Sequence, residues 1–114
     1  MQRDVKKSDW KHFKALREIA LDRICDRTLG ELQEIANRQA ESNHERYLAV
    51  FRLIQDRDEQ IASAFNDLSR SRMIRHLTVM VSLDLVDELE LEKFTLDVRE
   101  QIKTWLDLSA DHTD

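Results

Sequence analysis

Residues 29–69 read LGELQEIANRQAESNHERYLAVFRLIQDRDEQIASAFNDLS, and whether this run is one rod or two decides the architecture. Leu29, Leu32 and Ala36, with Ile35 on the shoulder, recur at helical spacing. So do Tyr47, Val50, Phe51, Ile54, Ile61, Phe65 and Leu68 further along. At 100° per residue Tyr47 falls in phase with Leu29, so the apolar stripe survives the polar stretch between them. An unbroken helix from Leu29 to Leu68 would measure about 60 Å. A compact chain of this length has a radius of gyration of about 13 Å. Either the chain bends near residues 41–44, where Ser42-Asn43-His44-Glu45 has the form of a capping box, or one long helix forms the spine of a dimer. The preserved phase favours the long helix.

Outward from this run the same period continues. Upstream, Trp10, Phe13, Leu16, Ala20, Leu21 and Ile24 mark a helix expected from Ser8 or Asp9, as cap, to about Asp26. Thr28-Leu29-Gly30-Glu31 reads as a capping box opening the next helix. Downstream, Ser69-Arg70-Ser71-Arg72 interrupts the pattern before Met73, Ile74, Leu77, Met80 and Val81. Residues 82–88 read as a turn, with Asp84 or Asp87 as the following cap. Leu91, Phe94, Val98, Ile102 and Trp105 then form a stripe, which Thr95 can divide by capping a last helix ending near Leu108. Residues 1–108 are expected to form a single helical domain and residues 109–114 a disordered tail.

Composition supports an all-α bundle of four to five helices. The 114 residues contain no proline and one glycine, Gly30, and these are the residues that punctuate turns and sheets. Charged residues make up 36% and apolar residues 41%. That balance suits thin helical layers showing much of their circumference to water. Cys25 is alone, which excludes a disulfide within the chain and fits a reducing compartment. No apolar run approaches the roughly 20 residues that span a bilayer, and Met1 to Lys7 leads into no apolar segment of the secretory kind. A cytoplasmic location without membrane association is expected. The net charge of −5 is unevenly placed: residues 1–27 carry eight Lys/Arg against five acids, and residues 71–114 five against ten. Lys6, Lys7, Lys11 and Lys14 crowd the start of the first helix, where a helix dipole prefers acids; a frayed, solvated end accounts for them.

Several polar side chains fall on or beside the apolar stripes. Asp58 lies within about 20° of the line through Tyr47, and Arg17 lies between Phe13 and Ile24. Asn43 occupies an inner position of the 29–69 stripe and Gln39 its edge. A buried carboxylate needs a partner, so Asp58 is expected either to face a wet groove or to pair with Arg17, within or between chains. Gln39 and Asn43 are its neutral alternatives. These four are the candidate interaction and specificity residues.

Catalytic signatures are missing. One glycine cannot make a phosphate-cradling loop, no Cys/His pairing occurs at a useful spacing, and Cys25 reads as a small core residue. The acidic run from Asp84 to Glu92 lacks the alternating oxygens and central glycine of a calcium loop and is assigned to capping and solubility. Glu41-Ser42-Asn43-His44 has the Glu-x-x-His spacing found in carboxylate-bridged metal bundles, a weak metal alternative through Glu41 and His44. Arg70, Arg72 and Arg75 could meet phosphates ahead of a recognition helix, but a pI of 5.4 argues against nucleic acid. The expectation is therefore a non-catalytic, cofactor-free protein–protein interaction module (adaptor, regulatory or assembly protein), acting as a homodimer because so thin a core calls for a second chain. A nucleic-acid-associated regulator is the alternative.

Overall fold

The structure, a computed structural model, describes residues 5–111, with side chains described to Ser109. It is all-α. In chain order α1 spans Lys7–Ala36, α2 Asn43–Phe65, α3 Met73–Ser82, α4 Glu88–Glu92 and α5 Leu96–Asp111; a single 3-10 turn, Arg70–Arg72, leads into α3. The last helix passes through Ser109 to Asp111, so the first three positions assigned to a disordered tail are helical. Residues 112–114 of that tail lie outside the described residues.

The 29–69 run is not one rod. It breaks at residues 37–42, and α2 folds back antiparallel along α1. Three cross-links give the pairing: Arg17 to the Phe65 carbonyl at 2.7 Å, Arg57 to Glu31 at 2.8 Å, and Arg46 to the Ala36 carbonyl. The Ser42 signal was the true one. Its hydroxyl accepts from the Glu45 amide at 3.1 Å and starts α2. The Thr28 signal was not. Its hydroxyl donates back to the Ile24 carbonyl at 2.7 Å, a bond that lets threonine stay inside a helix, and α1 runs through Gly30 without pause. The preserved phase between Leu29 and Tyr47 is therefore a coincidence of numbering, since the chain reverses between them.

α3 is the centre of the molecule. Met73, His76, Leu77, Thr78 and Met80 are buried and Ile74, Val79 and Val81 half-buried, so α3 meets α1, α2 and α5 around most of its circumference. Phe13, Leu16, Ala20 and Ile24 of α1, Ala64 and Phe65 of α2, and Leu85, Phe94, Val98 and Ile102 complete the core. Burial of each large apolar side chain contributes about 1.5–3 kcal/mol.

With glycine and proline almost absent, the helix ends are closed by other means. A helix leaves its last carbonyls without partners, and glycine in the left-handed region is the commonest remedy. Here Asp84 takes that role after α3, with φ 58°. The Leu85 amide reaches the Met80 carbonyl and the Asp84 amide the Val81 carbonyl, each at 3.0 Å, while Leu85 and Met80 are both buried. That is a Schellman closure with aspartate in the glycine position. Arginines from α1 supply further donors: Arg27 to the Leu83 and Asp84 carbonyls, both 2.8 Å, and Arg23 to the Leu85 carbonyl at 2.8 Å. Arg17 closes α2 in the same way, and its guanidinium stands 5.7 Å over the Phe65 ring. The starts of α4 and α5 are closed by acids. Asp87 and Glu90 form a reciprocal capping box at α4. Asp9, expected as the cap of its own helix, lies inside the first turn of α1. Its buried carboxylate instead accepts the Thr95 amide at 3.0 Å and hydroxyl at 2.8 Å, fixing the start of α5.

Candidate protein-interaction surface

Two lengths of the α1–α2 hairpin differ in what covers them. Near its base, Thr28 and Ala64 are buried against the body of the protein. Between residues 29 and 63 no side chain is buried. The hairpin projects, and the molecule measures 54 × 34 × 25 Å with a radius of gyration of 16.9 Å, above the ~13 Å of a compact chain.

On the projecting part of α2, one face carries Leu53, Arg57 and Gln60, which are half-covered. Arg57 holds Glu31 across the hairpin, and that hydrogen-bonded carboxylate raises the Arg57 pKa above its ordinary value. A second face carries His44, Tyr47, Phe51, Ile54, Asp58, Ile61, Phe65 and, just past the helix, Leu68. These positions step by three and four in strict alternation, the spacing of a coiled-coil seam. The two ends of this seam have different fates. Phe65 is buried and Ile61 packs against the core, whereas Tyr47 is 66%, Phe51 51% and Ile54 44% exposed. Large apolar side chains that share a seam with core residues yet face water mark an unpartnered surface.

Asp58 belongs to this seam and is exposed, with no hydrogen bond or ion pair among the described residues. Its expected partner within the chain, Arg17, is instead committed to the Phe65 carbonyl and to Glu18 at 3.1 Å. The intrachain Asp58–Arg17 pair does not form because the hairpin sets Arg17 against the far end of α2. Asn43, expected on an inner face, and Gln39, expected at its edge, are exposed at the hairpin tip. Gln39 lies in the connection, and Asn43 opens α2 with its side-chain oxygen accepting from Arg46. They were misplaced because the stripe was projected through residues where the chain turns. Tyr47 and Phe51, expected inside, are also exposed, and so is Trp105, near the end of α5. Cys25, expected in the core, is exposed as well.

The remaining candidates are dispersed. Glu41 sits in the connection, 3.4 Å from Arg38, while His44 is on α2, so the pair does not share a helical face. Among the described residues no group of three or more His, Cys, Asp or Glu side chains is placed to hold a metal ion. Of the three arginines ahead of α3, Arg70 donates to the Val5 carbonyl at 2.7 Å and Arg72 pairs with Asp67 at 3.1 Å; Arg75 is exposed. The helix that follows them is the core of the protein, so it is not free to enter a nucleic-acid groove. His76 is buried beneath this cluster. Burial, and then the nearby charges of Arg72, Arg75 and Arg17, hold its pKa below the ordinary 6.5, against a smaller opposing effect from Asp67. The Arg23–Glu90 pair is bidentate, at 2.6 and 3.0 Å, and lowers the Glu90 pKa chiefly through that hydrogen bond. The Arg23–Glu90 pair ties α1 to α4. Among the described residues, no helix is long and apolar enough to cross a membrane. No protein-family model matches the chain, and no curated protein or solved structure resembles it to a significant degree.

Proposed function

We propose that this protein is a non-catalytic protein–protein interaction module, serving as an adaptor, regulatory or assembly protein, and that the projecting α1–α2 hairpin is its working part. One observation carries the reading: Tyr47, Phe51 and Ile54 lie on a single seam of α2, in register with the buried Phe65, and remain exposed. An uncovered apolar seam on a well-ended helix is the surface that helix-in-helix and helix-in-groove recognition uses. Asp58, within the same seam, supplies the polar element that fixes register in such contacts.

A photo-cross-linking amino acid placed at position 51 in cells tests this. Position 56, on the opposite side of α2 and exposed, is the control. A discrete protein adduct from position 51, and none from position 56, is the expected result. Equal labelling from both positions, or none from either, contradicts the reading.

A further inference from the structure

The occupant of this seam is a second copy of the same chain. We infer that two molecules pair their α2 helices antiparallel about a two-fold axis between Arg52 and Leu53, so that Phe51 faces Ile54 of the second copy and Tyr47 faces Asp58. This rests on the preceding reading and names its partner.

Three observations select this arrangement. The first is coverage. The hairpin between residues 29 and 63 buries no side chain by itself, and helices in water owe most of their stability to a packed apolar face. The seam from His44 to Asp58 runs two heptads, and its apolar members Tyr47, Phe51 and Ile54 are exposed along that length. The second is polar complementarity. Within the seam the only carboxylate is Asp58, and it has no partner among the described residues; nor do the Tyr47 hydroxyl and the His44 ring. Antiparallel pairing brings the Tyr47 hydroxyl, a donor, onto the Asp58 carboxylate, with His44 one turn further along as a second donor. The two-fold axis repeats this at each end, so both carboxylates are satisfied. Parallel pairing in register would set Asp58 against Asp58, two like charges in a partly dehydrated seam, and His44 against His44. The third is net charge. α2 carries Arg46, Arg52 and Arg57 against Glu45, Asp56, Asp58 and Glu59, so two copies meet across nearly neutral surfaces. The acid-rich last third of the chain lies in other helices.

Sedimentation equilibrium of the full chain, with three variants, tests the proposal. The wild type is expected to be dimeric at micromolar concentration. Phe51→Glu is expected to weaken association by roughly 30-fold or more, with the helical circular dichroism of the monomer retained because Phe51 is half exposed and lies outside the core. Register is read by mixing Tyr47→Cys and Asp58→Cys chains, both in a Cys25→Ser background, under mild oxidation. A mixed disulfide dimer is expected. Asp58→Cys chains cross-linking mainly with themselves would overturn the antiparallel arrangement. A monomeric wild type, or association that Phe51→Glu leaves intact, would overturn the pairing itself. If the wild type is monomeric but position 51 still captures a different protein in cells, this inference fails while the interaction-module reading stands. Failure of both experiments removes both.

Discussion

The body of the molecule and its hairpin tip are made from the same kind of sequence and end in opposite conditions. In the body, the seam position Phe65 is 3% exposed; four turns earlier on the same seam, Phe51 is 51% exposed. Residue type does not distinguish them. What differs is the neighbour: α3 lies across the base of α2, and among the described residues nothing buries this seam at its tip. The body is also held by long-range polar contacts, Asp9 to Thr95, Arg23 to Glu90 and Arg27 to the end of α3. Among the described residues the tip has one such contact of its own, Arg57 to Glu31, besides the local closure of its turn. An apolar seam left uncovered among the described residues is the basis of the proposed association with other chains.

The largest expected effect separates body from tip most sharply. Phe13 is 0% exposed, and Phe13→Ala is expected to cost about 3–5 kcal/mol in urea unfolding. Phe51→Ala, at the same residue type, is expected to cost less than about 1 kcal/mol when the protein is dilute enough to be monomeric. Equal costs would mean that the tip is packed within the chain.

Next in size is the polar clamp. Replacing Glu90 by Gln leaves Arg23 without its bidentate anion and is expected to lower stability by about 1–3 kcal/mol. Because the folded-state pKa of Glu90 is depressed, this contribution is present above about pH 4.5 and is lost as pH falls through the lower, folded value. His76 gives a second pH dependence at a higher range. Its folded pKa lies below the ordinary 6.5, so the folded chain binds fewer protons than the unfolded chain just below that pH. Stability is then full above about 6.5 and declines as the solution is acidified toward the folded value. Urea midpoints measured at about pH 7.5 and pH 5.5 should differ in the wild type and draw together in His76→Gln.

A smaller effect of opposite sign sits where the tip begins. Gly30 is exposed toward the C-terminal end of α1, its φ is not positive, and a Cβ built there meets nothing within 4 Å. Gly30→Ala should therefore stabilise the protein by about 0.5–1 kcal/mol, read as a rise in melting temperature. A loss of stability would indicate that the helix is not continuous there. The smallest effect is expected from Asp58→Ala, within about 0.5 kcal/mol for the monomer, as suits a side chain with nothing to hold.

Where sequence signals were local and unopposed, they located the elements. The interruption before Met73, the turn within residues 82–88 and the division of the last stripe at Thr95 follow from period, and of the two expected caps Asp84 and Asp87 it is Asp87 that caps α4. Two competing cap signals, at Thr28 and Ser42, were the place where the reading failed. A threonine can cap a helix or bond back within one, and which it does is settled by what packs on the following turn. For α1 that is α2, a contact between distant residues that no local pattern encodes. The candidate site suffered from the same cause. Tyr47, Phe51 and Asp58 were visible as a stripe, but whether a stripe is covered depends on how far α3 reaches along α2. The arginine closures of Phe65, Leu83 and Leu85 carbonyls left one trace in the sequence: helices had to end in a chain almost without glycine.

Tyr47 is the chain's sole tyrosine and lies at the centre of the claim, so its chemical accessibility tests that claim most directly. The rate of nitration at Tyr47, followed from nanomolar to high micromolar protein, is expected to fall as copies associate and to stay high throughout in Phe51→Glu. A rate independent of concentration, and equal in the two proteins, would contradict the account.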